Sequence, residues 1–103
     1  MLQGMPVRRA ANIDANQPEI VKALRAVGAT VAHCHTVGDG FPDLVVGFRG
    51  KNYLIEVKDG SKEPARRRLN DDQLLWHTAW SGQVDVANNV DEALEIIGAK
   101  RSK

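Results

Sequence analysis

The stretch Gly40-Phe41-Pro42-Asp43-Leu44-Val45-Val46-Gly47-Phe48-Arg49-Gly50-Lys51-Asn52-Tyr53-Leu54-Ile55-Glu56-Val57-Lys58 decides the fold. Residues 43–48 and 53–58 are apolar runs rich in β-branched side chains and read as strands. Residues 49–52 between them read as a turn. A four-residue loop pairs Phe48 with Tyr53, Val46 with Ile55, Leu44 with Val57 and Asp43 with Lys58. Side chains alternate between faces along a strand. One face is then wholly apolar: Leu44, Val46, Phe48, Tyr53, Ile55 and Val57. The other carries Asp43, Val45, Gly47, Leu54, Glu56 and Lys58, with its three charged groups gathered at one end. A one-residue slip would scatter them.

Two carboxylates and a lysine at this spacing suit a metal-dependent phosphodiesterase. Asp43 and Glu56 are hard oxygen ligands of the kind Mg²⁺ takes, alongside water and phosphate oxygens. A metal there lowers the pKa of a bound water and neutralises charge on a phosphate. Lys58 can orient that water or act as a point charge on the phosphate. The main-chain carbonyl of Val57 is a candidate further ligand. A plain strand-end ion pair, with Lys58 neutralising two edge carboxylates, fits the spacing equally well.

The motif Pro42-Asp43 … Glu56-Val57-Lys58 resembles the PD-(D/E)xK nuclease superfamily. Gly40-Phe41-Pro42-Asp43-Leu44, Glu56-Val57-Lys58-Asp59-Gly60 and Gln73-x-x-Trp76 together resemble its virus-type replication-repair nuclease (VRR-NUC) group, over roughly residues 12–90. The connection over residues 59–69 departs from the pattern: it holds Arg66-Arg67-Arg68 and lacks a Gly-Pro after the lysine. The resemblance implies a restriction-endonuclease-like α/β fold and Mg²⁺-dependent cleavage of DNA, with Mn²⁺ able to substitute. The stand-alone members of similar size are viral or prophage proteins that resolve four-way DNA junctions. The resemblance therefore implies a Holliday-junction resolvase. Flap, nicked or linear duplex DNA is the alternative substrate, and a catalytically silent DNA-binding module the alternative role.

The 103 residues, 43% hydrophobic, suit a single domain over 1–103 with one small core. The net charge of +1 does not announce nucleic-acid binding. Its distribution says more, with Arg8-Arg9, Arg66-Arg67-Arg68 and Lys100-Arg101 forming local basic clusters. Residues 1–11 are expected to be a flexible basic arm and 99–103 a basic tail. The lone Cys34 excludes an internal disulfide framework. No apolar run approaches a bilayer span and no signal-peptide core is visible, so a cytoplasmic protein without a membrane partner is expected.

Helices are expected over 16–27, 70–80 and 89–97, and further strands over 30–35 and 83–87. The order is α-β-β-β-α-β-α, a mixed four-stranded sheet with helices on both faces. Asn16 with Glu19, and Asn70 with Gln73, have capping-box spacing. The resemblance offers a second use for each. Glu19 becomes an acid that reaches the metal if the first helix covers the face of Asp43, Val45 and Leu54. Gln73 becomes the group that orients Lys58, the water or a phosphate.

His77, four residues beyond Gln73, can touch a phosphate or protonate a leaving group; a surface role is the alternative. Arg66, Arg67 and Arg68 become phosphate clamps beside such a site, each adding roughly 0.9 to the salt slope. Trp76 and Trp80 are expected to pack on the apolar sheet face or at a subunit contact, ahead of base stacking. His33 and His35 share a face, but paired zinc-ligand spacing is absent. Branched DNA gives a chain this short little surface to grip, and two strands need two sites. Both points suggest a symmetric homodimer.

Overall fold

The computed structural model describes residues 13–100. It runs α1 (Gln17–Ala26), β1 (Thr30–His33), β2 (Leu44–Phe48), β3 (Lys51–Val57), a 3-10 turn (Pro64–Arg67), α2 (Asp71–Ala79), β4 (Asp85–Ala87) and α3 (Val90–Ile96). This is the predicted order. The sheet order is β1-β2-β3-β4. The first three strands pair antiparallel and β4 joins β3 in parallel, so the sheet is mixed. The expected basic arm over 1–11 and the end of the basic tail lie outside the described residues. No helix among the described residues is long and apolar enough to cross a membrane.

The hairpin turn is tighter than expected. Arg49 and Gly50 alone connect β2 to β3, both at positive φ (51° and 79°). Such two-residue turns match the right-handed twist of their strands. The strain at Arg49 is partly offset by its guanidinium, 4.7 Å above the Phe48 ring. Phe48 therefore pairs with Lys51, Val46 with Tyr53 and Leu44 with Ile55, in place of the expected partners. The ladder has moved by two residues. Two is the period of a strand, so every side chain keeps its expected face. One step beyond Leu44–Ile55, Asp43 comes beside Glu56 instead of Lys58.

The apolar face forms the core. Leu44, Val46, Phe48, Ile55 and Val57 are buried there with Ile20, Val21 and Leu24 of α1, and with Ala93 and Ile97 at α3. Each large side chain so buried contributes about 1.5–3 kcal/mol relative to exposure. α1 and α3 also pack against one another. The condition on which Glu19 would reach the metal, α1 lying over the Asp43 face, is thus not met. The stripe of α1 at positions 20, 21 and 24 is apolar, and the only fully apolar surface it can seal lies on the opposite side of the sheet.

On the second face Val45 and Leu54 remain half-buried. Helix α2 approaches this face through Gln73. α2 begins at a full capping box: Asn70 Oδ1 accepts the Gln73 N–H at 2.8 Å, and Gln73 Oε1 accepts the Asn70 N–H at 2.9 Å. β4 starts two residues later than predicted because the Gln83 side chain stands in for a strand backbone. Its Oε1 accepts the Leu54 N–H at 2.7 Å and its Nε2 donates to the Leu54 carbonyl at 2.9 Å.

Candidate active site

Asp43 is fixed from both sides. Its carbonyl accepts the Cys34 N–H at 2.7 Å, and its Oδ2 accepts the Val57 N–H at 2.8 Å. The carboxylate thus occupies the place of a ladder partner just before the start of β2. The N–H and C=O of a strand residue point to the same neighbour, so the Val57 carbonyl faces this edge too.

Glu56 projects from the second face and is 1% exposed. Its Oε2 accepts from Gln73 Nε2 at 2.9 Å and lies 4.0 Å from Lys58 Nζ. Burial above all, then hydrogen bonding to Asp43 and its negative charge, pushes the Glu56 carboxyl up to about 9; Lys58 opposes this and Asp14 adds to it. Asp43 Oδ1 and Glu56 Oε1 are both buried with no donor from the protein. Two carboxyls in contact, each with an orphaned oxygen, call for a proton or a cation between them. Mg²⁺ commonly takes one or two carboxylates with waters and phosphate oxygens, and this pair fits that demand. Among the described residues no group of three or more His, Cys, Asp and Glu side chains is placed to hold a metal.

Gln73 joins the two uses weighed for it. Besides capping α2, its Oε1 accepts from Lys58 Nζ at 2.7 Å while its Nε2 holds Glu56. One side chain thereby sets the start of α2 and the heading of the lysine. The loop before Asp43 is keyed to the same helix. Gly40, at φ 84°, lies so close to α2 that a Cβ would collide with the Asp72 carbonyl. Strand β2 and helix α2 therefore cannot drift apart without breaking that contact.

The structure does not bring Glu19 to this cluster. Its side chain is exposed on α1, and the carboxylates acting on Glu56 are Asp43 and Asp14. Nor does Glu19 complete a capping box. Asn16 makes no side-chain cap; its Nδ2 donates to the carbonyls of Lys58 at 3.0 Å and Asn88 at 3.1 Å. Those bonds pin the start of α1 to the ends of β3 and β4. They also carry Asp14, which the sequence reading passed over, to the site. Burial raises the Asp14 carboxyl, and the largest opposing influence is the charge of Lys58. Asp14 precedes α1 and is carried there by tertiary bonds of its neighbour Asn16, so helix spacing gave no signal for it.

Arg66 and Arg68 are exposed and Arg67 is half-buried, on and just after the 3-10 turn between β3 and α2. His77 is half-buried. Burial and then the Lys58 charge hold its pKa down, with Asp85 opposing, so it lies within reach of the lysine's field. His33 and His35 face one another edge-on at 6.4 Å, beside the half-buried thiol of Cys34. Trp76 and Trp80 miss the apolar sheet face, which α1 and α3 occupy. Their rings stack on each other at 4.6 Å, and Trp80 is 44% exposed. Comparison of the chain with protein-family models, curated proteins and solved structures found no match.

Proposed function

We propose that this chain is a divalent-metal-dependent DNA endonuclease with a restriction-endonuclease-like fold, belonging to the VRR-NUC group. Mg²⁺ is the expected cofactor and Mn²⁺ a working substitute. The observation that carries the reading is the buried Asp43–Glu56 pair, each acid with an orphaned oxygen, beside a lysine already aimed by Gln73. A strand-end ion pair needs neither feature. Such a pair is satisfied at the surface, and it has no use for a glutamine that bonds both partners.

The residues divide the work as follows. Asp43 Oδ1 and Glu56 Oε1 would hold the cation, with the Val57 carbonyl on the same edge. When bound, it would acidify a water and neutralise phosphate charge. Lys58 Nζ, fixed by Gln73, meets the charge that grows on the phosphate oxygens. Water oxygen bonds to phosphorus as the bond to the leaving ribose oxygen breaks. The water's proton ends on that leaving oxygen or in solvent. Arg66, Arg67 and Arg68 supply phosphate contacts, and His77 stands at the margin of the site. Glu19 is left without a role.

Branched DNA, a four-way junction first, is the proposed substrate, acted on by a symmetric homodimer. This step rests on the resemblance in motif. The test is cleavage of labelled four-way junction, flap, linear duplex and single-stranded DNA, with and without Mg²⁺ or Mn²⁺, by wild type, Asp43→Ala and Lys58→Ala. Metal-dependent paired nicks on the junction, lost in both variants, support the whole reading. Equal cutting of every substrate keeps the nuclease and removes the junction. Binding without cutting under any metal would leave a silent DNA-binding module.

A further inference from the structure

We propose that the Trp76–Trp80 stack is a ledge for an unpaired nucleobase beside the cleaved phosphate, an inference that rests on the nuclease reading above. Gln73, Trp76, His77 and Trp80 fall at helical spacing i, i+3, i+4 and i+7, so one stripe of α2 leads from Lys58 to the indoles. Seven residues at about 1.5 Å each put the ledge ~10 Å from Gln73. That distance is about three nucleotides of axial rise in a B-form duplex, at 3.4 Å each.

The ledge is built to be rigid. The two indoles lie within 19° of parallel, and Phe41, two residues ahead of Asp43, meets Trp76 edge-on at 5.2 Å. Trp80 Nε1 donates to the Gln83 carbonyl at 3.2 Å. Gly82 makes room for the ring: a Cβ there would stand 2.9 Å from Trp80 Nε1. With its only donor already engaged, the exposed part of Trp80 offers chiefly a π face. A flat π surface is what a base, of any sequence, stacks on.

The surrounding charge favours a nucleic acid over an acidic or neutral protein segment. The acids of α2, Asp71 and Asp72, are confined to its first turn. Residues 74–80 contain none. His77 lies within the stripe and Lys58 at its head, and Arg66 to Arg68 precede the helix in the chain; against these basic groups stands Asp85, which accepts from Gln83 Nε2 at 2.9 Å and acts on His77. A strand whose phosphate sits at Lys58 is thereby steered along α2. A base freed from pairing near a branch point can then reach Trp80.

The test uses the full chain carrying Lys58→Ala, so that DNA is bound and not cut. It is mixed with a four-way junction or a flap bearing one unpaired 5-iodouracil, stepped one to five nucleotides from the branch. Irradiation should crosslink the base to Trp80, as mapped by peptide mass spectrometry. Trp80→Ala should weaken binding to DNA with unpaired bases about tenfold and leave blunt duplex unchanged, while Trp80→Phe keeps most of the selectivity. Gly82→Ala, which tilts the ring, should give a smaller loss of the same selectivity. Crosslinks elsewhere, or equal loss on all DNA, would overturn the ledge. So would conversion of a dimer to a monomer by Trp80→Ala in sedimentation, which would make the indoles a contact with a second copy. Cleavage is not part of the readout: a chain that never cuts but crosslinks through Trp80 keeps the ledge and loses the nuclease.

Discussion

Leu44, Val46, Ile55 and Val57 alternate with Asp43, Val45, Leu54 and Glu56 along the same two strands, yet the two faces they form behave as different materials. The first is sealed by α1 and α3 over a cluster of apolar side chains. The second is touched by one helix at one end, and there it buries two carboxyls. Burying apolar area stabilises the fold, whereas burying like charges without a counter-ion works against it. The hairpin is held together by one face, and that stability is what lets the other keep a strained pair of acids.

The largest expected effect separates the faces directly. Ile55→Ala should destabilise the protein by about 2–5 kcal/mol through lost burial and the cavity left behind. Its neighbour in the strand should behave oppositely. Glu56→Gln removes one of two apposed carboxyls and, without metal, should leave stability unchanged or raised. Urea unfolding of the metal-free proteins measures both. A Glu56→Gln variant as unstable as Ile55→Ala would make the carboxyl a structural element and dissolve the contrast.

The pH dependence of stability comes next. In the fold the Glu56 carboxyl is pushed up to about 9, chiefly by burial, from its ordinary value of 4.5. Between those values the folded chain keeps a proton that the unfolded chain has lost. Stability contributed by this group is therefore full below about pH 4.5 and is lost as pH rises toward 9. The slope is at most about 1.4 kcal/mol per pH unit. Metal-free wild type should lose melting temperature from pH 5.5 to 8.5, and Glu56→Gln should flatten that loss. Saturating Mn²⁺ should reverse the trend, because a cation requires both acids ionised. An unchanged profile with Mn²⁺ would remove the metal from the second face.

How much of this was legible in the sequence follows from the range of each interaction. The apolar face was readable because alternation is local and survives a two-residue error in register. The capping box of α2 was readable for the same reason, being closed within Asn70 to Gln73. The hairpin register was not, since Arg49 at positive φ breaks the usual preference against left-handed non-glycine residues. The placing of α1 was left open because its cap-like Asn16 is engaged by carbonyls 42 and 72 residues away. That distant engagement displaced Glu19 and brought in Asp14. The Asp43, Glu56 and Lys58 cluster was legible by parity alone.

Gln73 sits where the two kinds of region meet, and it sharpens the comparison at a smaller scale. Asn70→Ala removes the cap alone and should cost about 1 kcal/mol with cleavage intact. Gln73→Ala should cost a similar amount and also lower cleavage about 10- to 100-fold, since Lys58 and Glu56 lose their shared partner. Paired unfolding and cleavage measurements on the two variants separate capping from catalysis. Equal loss of cleavage in both would mean that Gln73 acts only by starting the helix.

The smallest effect tests the edge of the site. Asp14 is half-buried and acts on Glu56 and Lys58 through its charge, so its influence should be that of an outer partner. Asp14→Asn preserves shape and removes charge. It should weaken Mn²⁺ binding about tenfold, the low end of what such partners contribute, and leave metal-free stability near wild type. Glu19→Gln, on the exposed side of α1, should change neither. Thermal-shift titration with Mn²⁺ reads both variants. A response to Glu19→Gln in place of Asp14→Asn would mean that α1 turns its other side to the carboxyls when the cation binds. The second face would then be closed by a moving helix, and the contrast between a sealed face and an open one would describe only the metal-free protein.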